Sequence, residues 1–257
     1  MGIIKFNGIS SNDLGLIVQF IPTYKYPERE YESVTIPGRN GSLLIDKGRY
    51  ENTERTYSLA KIYRPGENFV ASANQIVEWL SSAEGYARLE DSYEPEYYRE
   101  ALYKSDGEMA NYYDTATAID VTFDCKPQRW LIEGEKPQSI NISLVSNTYT
   151  GSIYLTNPTK FPAKPLIKFK TIVNKDAVIE VLSESSTVLY TLTYARETAS
   201  NDVTIDCDLM ECFTNTSLKN SNLTLSNSFP VINGKQKVQI RTTNVTECEI
   251  IPRWWTL

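Results

Sequence analysis

The 257-residue sequence contains no histidine. That absence removes the side chain best placed for acid–base work near neutral pH, and with it serine–histidine and cysteine–histidine couples, histidine-bound zinc and histidine proton shuttles. Cysteine is scarce as well: Cys125, Cys207, Cys212 and Cys248 form no Cys-x-x-Cys pair, so a tetrathiolate zinc site lacks its spacing. No apolar run approaches the roughly 20 residues of a membrane span. The opening MGIIKFNGISSNDLG has only two consecutive apolar residues, too few for the core of a secretory signal. Reduced, structural thiols in a cytosolically made protein are the expectation. The phosphate-cradling G-x-x-x-x-G-K-[ST], the dinucleotide G-x-G-x-x-G and the hydrolase G-x-S-x-G are all missing. Carboxylate-only chemistry, binding and assembly survive these exclusions.

What is present describes a folded chain, with 41% apolar and 11% aromatic residues. Lys and Arg total 26 against 32 Asp and Glu, a balance that disfavours a surface built to hold nucleic acid or anionic lipid. The acidity is unevenly spread. Residues 1–134 hold 14 basic and 21 acidic side chains, net −7, while residues 135–257 hold 12 and 11, net +1. Two domains, 1–134 and 135–257, are the expected organisation.

Alternating patterns dominate and predict a mainly β protein. Ile3 to Phe6 stops at the turn dipeptide Asn7-Gly8, and Leu14 to Phe20 is the next run. Tyr31 to Ile36 reads as a half-buried strand. Pro37-Gly38-Arg39-Asn40-Gly41 reads as a turn whose Asn-Gly can supply two residues of positive φ. Leu43-Leu44-Ile45 and Thr56 to Ile62 follow as strands, with Gly48 punctuating between them. One helix is predicted within Glu67 to Glu84, capped by Asn68, with Phe69, Ala73, Ile76, Val77 and Leu80 as its core stripe. Strands resume at Tyr86 to Leu89, Tyr97 to Lys104 and Ala118 to Cys125, the last ending at Lys126-Pro127. Residues 132–138 read as a linker. Beyond it, short apolar runs at regular spacing predict a β-sandwich: Ile140 to Val145, Leu166 to Phe169, Ala177 to Leu182, Val188 to Tyr194, Val203 to Asp206, Leu223 to Leu225 and Val238 to Ile240.

Candidate chemistry is thin. Glu94 and Glu96 flank Pro95 and form the one carboxylate pair with a glycosidase-like look. Asp206 and Asp208 could offer oxygen ligands to calcium, without the Gly-punctuated repeat such loops carry. Tyr93, Tyr97, Tyr98, Tyr103, Tyr112 and Tyr113 crowd a short stretch, and rigid rings with polar tips suit either a protein interface or a sugar platform. Trp254 and Trp255 lie within four residues of the last position. Each ring offers on the order of 150–250 Å² for burial, so the segment is expected to be tied down as an anchor at the domain junction, with ligand stacking as the alternative.

Several blocks together resemble the distal tail (Dit) proteins of long, non-contractile-tailed bacteriophages. They are Ile36-Pro37-Gly38-Arg39-Asn40-Gly41 with Asp46-Lys47-Gly48-Arg49-Tyr50, the helix ending in Trp79-Leu80, and Gly85 with Tyr86 to Asp91 and Tyr97-Tyr98. Phe123-Asp124-Cys125-Lys126-Pro127, Phe229-Pro230 to Gly234 and Pro252-Arg253-Trp254-Trp255 complete the set. The resemblance implies an N-terminal β-sandwich-like domain with one helix and a C-terminal galectin-like β-sandwich. It implies a six-fold ring at the tail tip that joins the tail tube protein to fibre, lysin, receptor-binding or baseplate proteins. Genomic DNA would pass through its channel without specific binding. By the same resemblance Arg39, Asn40, Tyr97 and Tyr98 would serve inter-subunit contacts, with no enzyme activity, cofactor, metal or membrane insertion, in the virion tail after assembly in the host cytoplasm. Galectin-type sugar sites use histidine, which this chain lacks. A carbohydrate-binding module or adhesin is the alternative, and a carboxylate-only glycosidase the third reading.

Overall fold

The computed structural model describes residues 2–104, 109–112, 115–215 and 217–257, with the side chains of residues 111 and 112 set aside. Two compact units emerge, Met1–Trp130 with Leu257, and Leu131–Thr256.

In the first unit the strands are β1 (Ile4–Phe6), β2 (Ile9–Ser10), β3 (Ile17–Val18), β4 (Arg29–Thr35), β5 (Ser42–Tyr50) and β6 (Thr53–Ile62), followed by helix α1 (Phe69–Leu80) and by β7 (Ala87–Asp91), β8 (Tyr97–Lys104), β9 (Met109–Tyr112) and β10 (Ala116–Leu131). One antiparallel sheet runs β2-β1-β7-β8-β10-β6-β3, with β9 also on β10. It curls until Gly2, just ahead of β1, bridges Val18 of β3. Alternation explains the core: β6 buries Thr53, Arg55, Tyr57, Leu59 and Lys61 and turns the intervening residues outward. Phe6, Tyr57 and Tyr103 gather around Phe123, with ring centroids 4.9 to 6.1 Å apart, within the range where aromatic pairs add to simple burial.

Helix α1 starts where expected. The Asn68 Oδ1 accepts the Ala71 N–H at 3.1 Å, satisfying one of the free donors of the first turn. Its buried edge is Ser72, Ile76, Trp79 and Leu80, rotated from the predicted stripe. Val77 faces outward at 54% exposure. Trp79 wins the inward position because its ring buries more area and its Nε1–H reaches the Phe6 carbonyl at 3.1 Å.

Three further differences are local. Residues 14–20 open with a 3₁₀ turn, Ser11–Leu14, before the two-residue β3. Lys126-Pro127 does not end β10. The ladder with β6 stops at Cys125 opposite Thr53, so the missing Pro127 N–H breaks no bond there and the chain stays extended. In the turn after β4, the Arg39 N–H returns to the Ile36 carbonyl at 3.2 Å, and positive φ falls on Gly38 and Gly41 rather than on Asn40. Pro37-Gly38 takes the two central places, where a fixed φ followed by a positive one suits that order of residues.

The second unit contains β11 (Gln138–Ser139), β12 (Ile142–Val145), β13 (Thr148–Thr156), β14 (Leu166–Thr171), β15 (Ala177–Ser183), β16 (Val188–Tyr194), β17 (Asp202–Asp206), β18 (Glu211–Thr214), β19 (Ser217–Leu218), β20 (Leu223–Leu225), β21 (Lys237–Thr243) and β22 (Val245–Ile251). They form two six-stranded antiparallel sheets, β11-β22-β14-β17-β18-β19 and β12-β13-β21-β15-β16-β20. Ile167, Phe169, Ile205 and Ile250 from one sheet meet Ile179, Leu192, Val238 and Ile240 from the other in a single core, a β-sandwich. The predicted linker contains a 3₁₀ turn, Ile132–Glu135, and the start of β11. All four cysteines are free and buried. Burial pushes the thiols of Cys125, Cys207 and Cys248 up to about 12 and that of Cys212 to about 11, which leaves them packing groups rather than nucleophiles.

Candidate functional site

Among the described residues strands β4 and β5 pair only with each other, in register Tyr31–Asp46, Glu32–Ile45, Ser33–Leu44, Val34–Leu43 and Thr35–Ser42. Not one of their residues is buried. The half-burial predicted for residues 31–36 therefore fails: the alternation is real, but among the described residues no sheet or helix lies over it. Directly opposed residues share a face, so Val34, Leu43 and Ile45 occupy one side and Tyr31 and Leu44 the other. All five are exposed, Leu44 at 62%. Gly48 lies inside β5 rather than between strands, where the register shifts between Arg29 and Tyr31. Arg29–Asp46, Lys47–Glu32 and Arg49–Glu30 pair across the ribbon. The Arg29 hydrogen bond and the Gly48 N–H hold the Asp46 carboxyl below its usual range. A two-stranded ribbon is marginal alone in water, and free edges with apolar faces are a template for another chain. Arg39 and Asn40 stand exposed in the turn of this ribbon.

Tyr97 and Tyr98 open β8 half-buried. Arg129 lies 5.1 Å from the Tyr97 ring centre and Arg88 lies 3.8 Å from that of Tyr98. These rings are amphipathic, with one face already occupied by a cation. Tyr113 and the Tyr112 side chain lie outside the described residues.

Below Tyr97 sits a cluster that sequence reading missed. Glu94 accepts from Arg55 Nη2 at 2.9 Å, Arg99 Nη1 at 2.6 Å and Arg129 Nη1 at 2.6 Å. Burial pushes the Glu94 carboxyl up, but the Arg99 bond and the charges of Arg99 and Arg55, with the Arg129 bond, outweigh it and hold the group below the usual carboxylate range. A carboxylate held ionised in this way is a poor general acid, and its oxygens are committed to three guanidinium groups. These residues line a cleft of about 350 Å³ together with Tyr24, Tyr26 and Tyr93. Only a residue as improbable as Arg55 on the core face of an alternating strand could have signalled it.

In the second unit Asp206 binds Arg253 through two parallel bonds of 2.7 and 2.8 Å and also accepts the Asp208 and Leu209 N–H groups. Its carboxylate is thus committed to an arginine rather than free for calcium. No group of three or more metal-ligating side chains occurs among the described residues, and no helix there is long and apolar enough to cross a membrane. Trp254 is 5% exposed and belongs to the sandwich core. Its backbone passes so close to Gly134 that a side chain there would collide with the Trp254 nitrogen, and the Leu131 N–H reaches the Trp254 carbonyl at 2.9 Å. Trp255 stacks on Phe161 at 4.6 Å and donates from Nε1 to the Pro162 carbonyl at 2.8 Å.

The chain thus combines a helix-bearing curled sheet and a β-sandwich, with a ribbon in the first unit that pairs with no other strand among the described residues. Among solved structures, the chain is similar to the SPP1 Dit protein, whose crystal structure is described as a paradigm of the hub adsorption apparatus in phages infecting Gram-positive bacteria. The match covers 100% of both chains at 13% identity and a TM-score of 0.71. It is also similar to a chain of the phage P2 baseplate in its activated conformation with calcium, over 99% of this chain and 98% of that one, at 9% identity and a TM-score of 0.55. The strontium form of that baseplate matches over 97% and 96%, at 9% identity and a TM-score of 0.52. At these identities the likeness is one of fold, and the fold is Dit-like. No family model and no curated protein matches the sequence.

Proposed function

We propose that the protein is a structural hub at the distal end of a non-contractile phage tail, without enzymatic activity. Residues 1–134 assemble a six-membered ring, and residues 135–257 form a galectin-like platform for fibre, lysin, receptor-binding or baseplate proteins. The ring joins these to the tail tube protein and lets genomic DNA pass. One observation carries the reading: the likeness to the SPP1 Dit structure extends over the whole of both chains, so the order and construction of both units are shared rather than one common module. The β4–β5 ribbon supports it. In a closed ring each subunit must offer two different, complementary surfaces, and a ribbon with Arg39 and Asn40 at its turn and apolar residues on both faces is suited to be one of them. Tyr97 and Tyr98 supply a second patch. The net −7 of the first half suits a channel wall from which a polyanion must slide freely.

Light scattering behind size exclusion, with negative-stain micrographs, tests this on the purified chain and on the chain mixed with its tail partners. Rings with the mass of six chains are the expected result. A chain that stays monomeric in both conditions and binds cell-wall polysaccharide would overturn it in favour of the adhesin. Trp254 gives that alternative little support, since a buried ring offers no face to a sugar.

A further inference from the structure

The chain contains three Asn-Gly pairs, Asn7-Gly8, Asn40-Gly41 and Asn233-Gly234. In such a pair the next main-chain nitrogen can close a five-membered ring on the asparagine Cγ, and glycine puts no side chain in its way. The fold treats the three pairs differently. Asn7 and Gly8 are both held at positive φ, 48° and 83°, in the two-residue turn between Phe6 and Ile9. The Asn7 Nδ2 donates to the Ser82 carbonyl at 3.3 Å and to its hydroxyl at 3.1 Å. Asn233 donates its N–H to Gln236 Oε1 at 2.9 Å and accepts the Gln236 N–H at 3.1 Å. Gly234 lies so tightly on Lys160 that an added Cβ would sit 2.2 Å from the Lys160 carbonyl oxygen. Asn40 and Gly41 have none of these restraints. Both are exposed in the loop between β4 and β5, just past the Ile36–Arg39 turn bond. Neither the Asn40 side chain nor the Gly41 N–H has a hydrogen-bond partner among the described residues. Apart from its chain neighbours, nothing lies within 4 Å of where a Gly41 Cβ would stand.

We propose that Asn40 is a site of spontaneous deamidation, modified in preference to Asn7 and Asn233. The Gly41 nitrogen gives its proton to hydroxide and attacks the Asn40 Cγ. The N–Cγ bond forms, the Cγ–Nδ2 bond breaks, and the departing nitrogen takes a proton from water and leaves as ammonia. Water then adds to either carbonyl of the cyclic imide, opening it to aspartate or isoaspartate. Attack requires the main chain to turn until the two reacting atoms are about 3–3.5 Å apart. At Asn7 that movement breaks the Ser82 bonds and the hairpin turn, and at Asn233 it must lift Gly234 off Lys160. At Asn40 it breaks nothing. The product places a new negative charge beside Arg39, and its isoaspartate form adds a methylene to the main chain at the tip of the ribbon. The inference rests on the geometry of the three pairs and stands whether or not the chain forms rings.

Incubation of the full chain in heavy-oxygen water at mildly alkaline pH tests this, at a dilution where light scattering reads single chains. Peptide mass mapping follows the amide-to-acid conversion at each pair, and an isoaspartate-specific methyltransferase marks the rearranged product. The Asn40 peptide should gain a heavy oxygen and accept the methyl label. Its conversion should outpace that at Asn7 and Asn233 by at least about tenfold, the rate ratio set by one retained hydrogen bond. In urea the three rates should converge, because the fold and not the dipeptide separates them. Asn40→Gln should abolish the methyl label at this position, since the longer side chain must close a larger ring. Gly41→Ala should slow the reaction by hindering the nitrogen. An Asn40 rate no greater than that of Asn7 or Asn233 in the folded chain, or a rate ranking unchanged by urea, would overturn the assignment.

Discussion

Two hairpins in this chain follow the same local rules and meet opposite fates. In the second unit β15 and β16 pair from Ala177–Tyr194 to Leu182–Val188, and β15 buries Ala177, Ile179, Val181 and Leu182 because β21 flanks it and a second sheet covers it. In the first unit β4 and β5 pair over a similar length, yet bury nothing. Alternation and turn chemistry make a ribbon; whether the ribbon is core depends on what lies over it. An alternating hairpin left bare keeps its apolar faces and edges in water, and that exposure supports the assembly role proposed for it.

The contrast breaks most clearly in the sandwich. Ile240 is wholly buried between the sheets, and Ile240→Ala should cost about 2–5 kcal/mol by urea denaturation. Next in size is the ion cluster. Glu94→Gln should cost about 3 kcal/mol at neutral pH, because it strands buried guanidinium groups. The pH dependence sharpens the point. The folded Glu94 carboxyl titrates below its ordinary value of 4.5. Its stabilisation is therefore full above that value and is lost as pH falls through the lower, folded value. Urea midpoints measured between neutral and strongly acid pH should fall more gently below 4.5 in Glu94→Gln than in the parent chain. The smallest effect belongs to the ribbon. Leu44→Ser should change the stability of the single chain by less than about 0.5 kcal/mol while abolishing the ring in light scattering. A Leu44→Ser loss comparable to that of Ile240→Ala would mean that the ribbon packs within its own chain and the contrast is false.

Reading the sequence located elements better than it located surroundings. Val188–Tyr194, Leu223–Leu225 and Tyr97–Lys104 carry their expected bounds, because each alternates cleanly between breakers. The Asn68 cap and the Asn7-Gly8 turn are local chemistry and were legible for the same reason. Strands β13, β18 and β22 were missed. Thr148–Thr156 carries Ser, Thr and Gly among few apolar residues, and Val245–Ile251 breaks alternation with two exposed residues in a row. Their strandhood comes from neighbours, since β13 and β22 are held along most of their lengths by β21 and β14. The Arg55–Glu94 cluster was hidden because it joins positions 39 and 35 residues apart from Glu94 across the curled sheet.

By itself the sequence determined that this is a β-rich chain with one capped helix, an acidic first half and no histidine-based chemistry, since composition, periodicity and turn residues act over a few positions at a time. Only the tertiary structure decided that Trp79 rather than Val77 faces inward, that Arg55 is buried against Glu94, and that one alternating hairpin is left uncovered among the described residues. Those outcomes depend on which distant surfaces come together, and burial is a property of the pair of surfaces that meet rather than of either strand alone.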